Sequence, residues 1–353
     1  MMHNSEPSLH IERNSLDADS VYFIAEAGVN HNGDLDQARE LIDVARGSGA
    51  DAVKFQTFTA NRFVSKGAKT ADYQKASTNV DSQYELLQEH ELSKDEFQLL
   101  QEYAENRGIT FLSTPFDRIS ANIVNEMGVP AIKLGSGELT NHPLLRHVAE
   151  FGKPMIVSTG MGTMGEVADA VTAIRETNSN VDLALLHCTS MYPAASSTVN
   201  LRAMNRMAEK FDVPVGYSDH TTQLTTPGYA TAAGALIVEK HFTLDQSLPG
   251  PDHHASLEPA ELDRAVSLAR EAAIVRGSPE KRPTPGEEEM KRVTRKSLHA
   301  ARDLATDTTL SPDDITIKRP ADGISPGELQ TAIGRSLATA VNRDEPITEE
   351  DLQ

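Results

Sequence analysis

Two histidines stand at the ends of neighbouring apolar runs in the second half of the chain. His220 lies in GYSDHT, residues 216–221, and His241 lies in EKHFTL, residues 239–244. Two imidazoles, completed by water and substrate oxygens, can form an open site for a divalent metal. We therefore interpret this pair as metal ligands. The alternative is that both are buried histidines whose nitrogens bond within the core.

A second set of residues has the chemistry of an anion site. Lys54 and Lys133 each follow an apolar run, and hydroxyl residues end other runs. These hydroxyl residues are Thr114, Ser136, Ser158 and Ser218. Cations combined with hydroxyl donors suit a phosphate, or a phosphate together with a carboxylate. The alternative is that each lysine pairs with a neighbouring carboxylate.

Three other histidines carry weaker signals. His187 follows the apolar run DLALL, and we predict a structural role for it. His253 and His254 lie in PGPDHHAS, a loop rich in Gly and Pro, and we predict that both face solvent.

Apolar, β-branched runs alternate with amphipathic segments along most of the chain. The runs cover residues 21–28, 51–57, 109–116, 131–138, 154–161, 182–190, 213–221 and 236–244. Strands that alternate with helices predict parallel βαβ units, and eight such units fit a closed (β/α)₈ barrel. A doubly wound open sheet is the alternative. It normally shows a Gly-rich phosphate loop after its first strand, and AEAGVNHNG is not that motif.

A barrel would bring the chemistry-bearing residues together. Its active site lies where the strands reach their C-terminal ends, and every run ends in polar residues. Buried polar groups cost free energy unless they are paired, so a purely structural core would not place them at every strand end. The pattern thus predicts one site at the barrel mouth.

Composition divides the chain into four parts. We predict an N-terminal extension over residues 1–20, a catalytic barrel over 21–277, a linker over 278–292 and a small, mostly β domain over 293–353. The linker is rich in Pro, Gly and charge, and the last part has short strand-like pieces between turn signals. Residues 58–92 form an unusually long connection, which we interpret as either a lid or an insertion without function.

Charge and cysteine content exclude several classes of protein. The net charge is −19, from 33 basic against 52 acidic residues, which argues against nucleic-acid binding. No run of about 18 apolar residues is present, so we expect no transmembrane helix. A single cysteine, Cys188, rules out an internal disulfide and is typical of the cytoplasm, where we expect this protein. The acidity fits either a salty cytoplasm or an ordinary acidic enzyme.

Nine motifs then appear in the order in which one enzyme family carries them. They are EAGVNHNG, KFQTF, FLSTPFD, IKLGSGE, VSTGMGT, LLHCTSMYP, GYSDHT, EKHFTL and PGPD, and KRPADGISP follows near the C-terminus. The chain resembles the sialic acid synthase family, which includes N-acetylneuraminate synthase and the synthases of legionaminic and pseudaminic acid. The resemblance covers almost the whole chain, including a C-terminal antifreeze-like (SAF) domain.

The resemblance implies a reaction and a set of site residues. The reaction is the metal-dependent condensation of phosphoenolpyruvate with water and N-acetylmannosamine, or a 2,4-diacetamido-trideoxy relative, giving a nonulosonic acid and phosphate. His220 and His241 match ligands of Mn²⁺, with Mg²⁺ or Co²⁺ as alternatives. Residues that match the phosphoenolpyruvate cradle are Lys54, Thr114, Lys133, Ser136, Ser158 and Ser218.

Positions near the sugar follow from the same resemblance. They are Glu26, Gln56, Glu138, Tyr192 and Asp252, together with Ser190 near the phosphate. We expect Glu26, Glu138 and Lys133 to be catalytic, and the two glutamates are not separable by role at this point. Ser190 stands where some members have Asn, and 296–298 lacks the Phe that some members place over the acetyl group.

Arg319 matches an arginine that the tail domain delivers to the partner subunit's site, which implies a domain-swapped homodimer. Two other functions remain open. A Schiff-base aldolase would use a strand lysine such as Lys133 and would need no metal. A sugar-binding protein without catalytic activity would use the same barrel mouth.

Overall fold

The structure is a computed structural model that describes residues 9–12, 14–16, 20–70 and 80–353. The chain forms two compact units, Met1–Gly277 and Ser278–Gln353. Within the described ranges, no helix is both long and apolar enough to cross a membrane.

The first unit alternates strands with helices. Its strands are β1 Leu9–Ile11, β2 Asn14–Leu16, β3 Tyr22–Gly28, β4 Ala52–Thr57, β5 Thr110–Pro115, β6 Ile132–Leu134, β7 Met155–Ser158, β8 Leu183–Cys188, β9 Val215–Asp219 and β10 Ile237–His241. Its helices are α1 Leu35–Gly47, α2 Ala60–Phe63, α3 Gln83–Glu89, α4 Lys94–Arg107, α5 Arg118–Glu126, α6 His142–Ala149, α7 Met164–Thr177, α8 Arg202–Phe211, α9 Thr226–Ala232 and α10 Pro259–Arg276.

Strands β3 to β10 form one eight-stranded sheet in the order β5-β4-β3-β10-β9-β8-β7-β6. The hydrogen-bonded neighbours within it run parallel. The end strands β5 and β6 also lie against each other, so the sheet curls into a nearly closed barrel. The predicted (β/α)₈ barrel is confirmed, and the open doubly wound sheet was the wrong alternative.

Strand alternation decides which side chains enter the barrel. Along β3, Tyr22 and Ile24 belong to an apolar cluster inside the barrel, whereas Phe23 and Ala25 pack outward against the helices. Since successive side chains point to opposite faces, Glu26 must face inward, above Ile24. On β4, the same period of two places Lys54 above Ala52, which belongs to the apolar cluster inside the barrel. The polar layer of the barrel therefore lies directly above an apolar floor.

A short N-terminal hairpin completes that floor. Strands β1 and β2 pair antiparallel, and Leu9 and Ile11 are fully buried in the same cluster as Tyr22 and Ile24. Those partners lie near the starts of the barrel strands, so the hairpin covers the end opposite the strand C-termini. Part of the segment predicted as an extension thus belongs to the core of the barrel unit.

Local sequence signals set several helix starts. Helix α4 begins with a capping box in which Ser93 and Glu96 bond reciprocally, and it ends at Gly108, which has a φ of 71°. Helix α7 has the same box, made by Thr163 and Glu166. These caps satisfy backbone N–H groups at the starts of both helices.

The long connection over residues 58–92 is partly helical. It contains α2 and α3, and Lys69 forms an isolated antiparallel bridge with Ser82. Residues 71–79 of the predicted lid lie outside the described residues. The described part packs beside the strand C-termini, because Gln83 belongs to the wall of the cavity found there.

The second unit is a small domain with its own core. It contains helix α11 Pro285–Thr294, strands β11 Ser297–Ala300 and β12 Ile315–Lys318, and the single-turn helix α12 Leu329–Ala332. The two strands pair antiparallel, and an apolar cluster that includes Leu298 and Leu337 is buried beneath them. Helix α11 occupies most of the predicted linker, and the pattern missed it although Pro285 follows the capping residue Thr284.

Candidate active site

A cavity of about 450 Å³ opens where the barrel strands reach their C-terminal ends. Its wall consists of Glu26, Lys54, Gln56, Gln83, Thr114, Phe116, Lys133, Gly135, Ser136, Gly137, Ser158, Met161, Cys188, Ser190, Tyr192, Ser218, His220, Glu239 and His241. Every residue predicted for the phosphoenolpyruvate cradle and both predicted metal ligands are therefore brought together.

Lys54 is the centre of a buried polar cluster. Its Nζ lies 2.5 Å from Glu26 Oε2 and 3.6 Å from Glu239 Oε2. The same nitrogen donates to Thr114 Oγ1 at 2.9 Å, and Gln56 Nε2 donates to Glu26 Oε1 at 3.1 Å. Its carboxylate neighbours hold this lysine in one position. This agrees with the alternative interpretation given above, in which each lysine pairs with a neighbouring carboxylate. It still borders the cavity and can meet an anionic ligand there.

Lys133 shares a carboxylate with Lys54 from the opposite side. Its Nζ donates to Ser158 Oγ at 2.7 Å and lies 3.7 Å from Glu239 Oε1. Ser218 Oγ donates to the same Glu239 oxygen at 2.9 Å. Glu239 thus stands between two ammonium groups, and both lysines are almost completely buried.

The two carboxylates of this cluster have opposite electrostatic environments. Burial raises the pKa of Glu26, and Lys54 offsets only part of that effect. Burial would also raise the pKa of Glu239, but Lys133 and Lys54 together hold it below its ordinary value. A pair of carboxylates whose pKa values are pushed apart is the usual arrangement for separate acid and anion roles. Glu26 is the group able to carry a proton, and Glu239 stays ionised.

His220 and His241 face each other with ring centres 5.4 Å apart. His220 Nδ1 lies 3.0 Å from the carbonyl oxygen of Thr189, which only accepts, so that nitrogen carries the hydrogen and Nε2 presents a lone pair. His241 Nδ1 is buried without a hydrogen-bond partner among the described residues. These nitrogens fit a divalent cation.

No group of three or more His, Cys, Asp or Glu side chains in the described part of the chain has metal-binding geometry. The remaining ligands would therefore be water and substrate oxygens, as in open catalytic sites. Cys188 lies beside the pair, with its Sγ 3.5 Å from His220 Nδ1, and adds a thiol to the cavity wall.

The residues predicted near the sugar are divided between two spaces. Tyr192 packs against His220, with ring centres 4.1 Å apart and the ring planes tilted by 40°, and it lines the main cavity together with Gln56 and Ser190. A smaller side chamber of about 240 Å³ shares Tyr192, Gln56 and His241 with the main cavity. Asp252 lines only this chamber, and burial raises its pKa to about 6.

Two predicted site residues lie elsewhere. Glu138 is in a single turn of 3₁₀ helix after β6, where its Oε2 accepts from Asn141 Nδ2 at 2.6 Å, and it is absent from the walls described above. Burial raises its pKa. Arg319 belongs to the second unit, where it is exposed.

The weaker histidine predictions have mixed outcomes. His187 Nε2 lies 2.8 Å from the carbonyl oxygen of Val199, which is the structural role expected. His254 is exposed as predicted, but His253 is fully buried and its Nδ1 lies 2.6 Å from Thr243 Oγ1. The prediction for His253 was wrong because the PGPDHHAS loop folds back over the barrel instead of extending into solvent.

Glu239 is the main residue that the sequence analysis left without a role. It lies two positions after Ile237, an inward residue, so strand alternation alone would have placed it beside the lysines. Its neighbour Lys240 points outward and pairs with Asp219 at 2.7 Å. That buried pair joins β9 to β10 one residue before each candidate metal ligand, which explains the Asp in GYSDHT.

Comparisons with known proteins decide the family. Residues 41–281 match the NeuB family, and residues 295–353 match the SAF domain. The chain belongs to the NeuB family. This confirms the resemblance to sialic acid synthases that the motifs indicated.

Relatives of this NeuB chain are similar over nearly its whole length. An N,N'-diacetyllegionaminic acid synthase of Legionella pneumophila is 46% identical, covering 90% of this chain and 91% of its own. Human N-acetylneuraminate-9-phosphate synthase is 35% identical over 93% and 92% of the two chains. A crystal structure of the N-acetylneuraminic acid synthetase from Leptospira borgpetersenii has a TM-score of 0.73 and 33% identity, covering 82% of this chain and 96% of that one.

Proposed function

We propose that this protein condenses phosphoenolpyruvate with an N-acylated mannose-type sugar and water, giving a nonulosonic acid and phosphate. The observation that carries the proposal is the cavity, which places two buried lysines and several hydroxyl groups beside two facing imidazoles. The names of the relatives support the same class of reaction. The acceptor is N-acetylmannosamine or a 2,4-diacetamido-trideoxy relative.

The cradle residues hold the anionic substrate. Lys54 and Lys133 neutralise the phosphate and carboxylate charge, and hydroxyl groups such as Ser158 and Ser218 donate to the oxygens. Glu239 is the counterion of both lysines while the cavity holds no anion. When the anion binds, it becomes a further partner of Lys54 and Lys133 beside Glu239. Both lysines already border the cavity, so they need no large movement.

The bond changes of the proposed reaction balance without a redox partner. The methylene carbon of phosphoenolpyruvate forms a bond to the sugar's aldehyde carbon. Water adds to the adjacent carbon, and the carbon–oxygen bond to phosphate then breaks. Glu26 transfers protons near the aldehyde oxygen, since its raised pKa lets it hold one near neutral pH.

His220 and His241 would hold the divalent cation, for which we propose Mn²⁺, with Mg²⁺ or Co²⁺ as alternatives. Such a cation supplies Lewis acidity that polarises an aldehyde oxygen. The Thr189 carbonyl fixes the tautomer of His220, and Tyr192 packs on the same ring and orients it.

The first experiment follows phosphate release by chelator-treated protein with phosphoenolpyruvate, Mn²⁺ and either candidate sugar, and identifies the product by mass spectrometry. We expect phosphate and a nine-carbon keto acid only when the metal is present. His220→Ala should abolish both. Metal-independent release at a normal rate, or no release under any condition, would contradict the proposal.

A Schiff-base aldolase is the second candidate, because burial lowers the pKa of Lys133 as such a nucleophile requires. That enzyme would be trapped on Lys133 by borohydride in the presence of pyruvate. A covalent adduct together with metal-independent turnover would favour it. We expect no adduct.

A further inference from the structure

A buried cluster of polar side chains lies behind the two candidate metal ligands, on the outer face of the barrel sheet. It contains Asp219 at the end of β9, Lys240 on β10, Thr221 just after β9, and Thr226 at the start of α9. All four residues are more than nine-tenths buried. We call these four residues the outer cluster.

The centre of the outer cluster is an ion pair between two strands. Lys240 Nζ donates to Asp219 Oδ2 at 2.7 Å, and the two residues are partners in the parallel register of β9 and β10. The candidate metal ligands His220 and His241 follow them directly in the chain. Because successive side chains of a strand point to opposite faces, this register sends both imidazoles toward the barrel mouth at the same level.

The same two charged side chains also restrain the backbone around His220. This histidine lies one residue beyond the end of β9. Asp219 Oδ1 accepts from the Thr221 N–H at 2.9 Å, and Lys240 Nζ donates to the Thr221 carbonyl oxygen. An Asp side chain that bonds to the N–H two residues later closes a tight turn. The backbone that carries the His220 ring therefore has little freedom.

Hydroxyl groups extend the outer cluster to the next helix. Thr221 Oγ1 lies 3.3 Å from Asp219 Oδ2 and 3.1 Å from Thr226 Oγ1, and Thr226 is the first residue of α9. The turn that contains His220 is thus connected to β9, β10 and α9 together.

Stability alone does not account for an ion pair at this position. Tyr217 and Val238, which precede the pair on the same face of the sheet, belong to the apolar core. Taking two charges out of water costs free energy that their attraction often fails to recover, and apolar side chains of similar volume can stabilise a fold as well. Hydrogen bonds and ion pairs fix direction and distance, whereas apolar packing does so less strictly. The pair therefore suits a positioning role.

We propose that the outer cluster positions His220 and His241 for the divalent cation and thereby sets the affinity of the site for it. Asp219 and Lys240 are positioning residues, because they lie outside the cavity wall and act through the histidines that follow them. The inference rests on the proposed function, since it takes the two imidazoles as metal ligands. Loss of the groups that orient metal-binding side chains typically weakens metal binding roughly 10- to 100-fold.

The first test measures Mn²⁺ binding by chelator-treated protein, from the loss of the electron paramagnetic resonance signal of free Mn²⁺. Asp219→Asn removes the charge but keeps an oxygen for the Thr221 N–H, whereas Asp219→Leu combined with Lys240→Met removes both the pair and the turn. We expect Kd to rise in that order, by at least about 10-fold in the double variant. Wild-type Kd values in the folded variants would overturn the inference. If the double variant does not fold, Asp219→Asn decides by the same criterion.

A second ion pair of the barrel provides the control. Arg270 Nη2 lies 2.6 Å from Asp51 Oδ2 and joins α10 to the residue before β4, at the opposite end of the strands. Asp51→Leu combined with Arg270→Met should keep the wild-type Kd for Mn²⁺, even where it lowers the free energy of unfolding. An equal loss of Mn²⁺ affinity in both double variants would indicate a general loosening of the barrel and would overturn the assignment.

Steady-state kinetics separate positioning from catalysis. Phosphate release by the wild type and the outer-cluster double variant is followed against Mn²⁺ concentration, with both substrates saturating. We expect the Mn²⁺ concentration for half-maximal rate to rise at least about 10-fold. At saturating Mn²⁺, kcat should return close to the wild-type value, because the residues of the cavity wall are unchanged. A fall in kcat that saturating Mn²⁺ does not restore would contradict a positioning role.

A variant of one ligand separates this inference from the proposed function. His220→Ala should remove most Mn²⁺ binding. If it binds Mn²⁺ as the wild type does, the proposed metal site fails, and the inference fails with it. If His220→Ala loses Mn²⁺ but the outer-cluster variants keep it, only the positioning role fails. Loss of affinity in both, with the control pair unchanged, would uphold the inference.

Discussion

At the scale of single residues, the chemistry of the cavity depends on how two lysines and two glutamates pair within one buried cluster. Lys54 and Lys133 are both almost fully buried, and Glu239 lies within 3.7 Å of each. Of the two lysines, Glu26 contacts only Lys54, which offsets part of the effect of burial, so the pKa of Glu26 stays raised. This difference in pKa distinguishes Glu26 from Glu239. Because Glu138 lies outside the cavity wall, the structure also favours Glu26 over Glu138, the two glutamates that the sequence could not separate.

We predict that Glu26→Gln lowers kcat by about 10²–10⁴-fold, because it removes the group that we propose as the proton carrier of the cavity. Glu138→Gln should lower kcat by less than about 10-fold, because its carboxylate bonds to Asn141 instead. The measurement is steady-state phosphate release with saturating substrates. A larger loss in Glu138→Gln than in Glu26→Gln would reverse the assignment.

His31 makes stability depend on pH. It is fully buried, and burial together with neighbouring His90 lowers its pKa from 6.5 to about 3. Between these values the unfolded chain binds more protons than the folded one, so stability rises with pH through this window and is level above it. At pH 5 the loss is about 2 kcal/mol relative to pH 7.5, from 1.5 units at about 1.36 kcal/mol each.

Urea unfolding of the wild type and His31→Gln at both pH values checks this prediction. The variant should lose about 2 kcal/mol less than the wild type between pH 7.5 and 5. His254→Gln, at an exposed histidine, should behave as the wild type. Identical pH dependence in all three proteins would show that His31 does not titrate below its ordinary range.

At the scale of elements, the strands position the site and the hairpin supports it from below. Period-two alternation places an apolar layer at the strand starts and a polar layer at the strand ends. The hairpin β1–β2 closes the apolar layer with Leu9 and Ile11. On the outer face, the Lys240–Asp219 pair ties β10 to β9 and holds the strands that carry both histidines.

We predict that Ile11→Ala lowers the free energy of unfolding by about 2–5 kcal/mol, since it removes a buried side chain and leaves a cavity in the barrel floor. His10→Ala, at an exposed position of the same strand, is the matched control and should change it by less than about 0.5 kcal/mol. Chemical denaturation measures both. A change in Ile11→Ala as small as in the control would mean that the hairpin contributes little to the fold.

At the scale of the whole molecule, the chain is two units with separate cores. The exposed Arg319 lies in the second unit, whereas every residue of the two cavity walls lies in the first. The domain-swapped homodimer implied by the motifs stays a prediction, and it makes the function of Arg319 depend on a second copy of the chain.

Mixing two inactive variants tests this prediction. Arg319→Ala and Lys54→Met should each lose at least about 10-fold in activity. If the arginine serves the partner's cavity, mixed dimers contain one intact site, so co-refolding equal amounts should restore roughly a quarter of the wild-type activity. If the mixture is no more active than either variant alone, Arg319 serves the barrel of its own chain or no barrel at all.

The barrel and most of its cavity wall followed from sequence pattern. Apolar runs alternating with helices predicted the barrel, and residues at the run ends, such as Lys54, Ser218 and His241, do meet at its mouth. This worked because parallel strands bring their C-terminal ends to one edge, whatever the loops do. The hairpin at Leu9–Ile11 was not predicted, because two buried residues in a short strand give too weak a period.

By itself, then, the sequence determined the fold class, the family and most of the side chains at the barrel mouth, since these depend on local periodicity and ordered motifs. The tertiary structure decided how those side chains are paired. Only contacts across the barrel could show that Glu239 pairs with both lysines, that the Glu138 carboxylate bonds to Asn141 outside the cavity wall, and that His253 is buried. Contacts between residues far apart in sequence leave no periodic signal, and burial and charge pairing are set by those contacts.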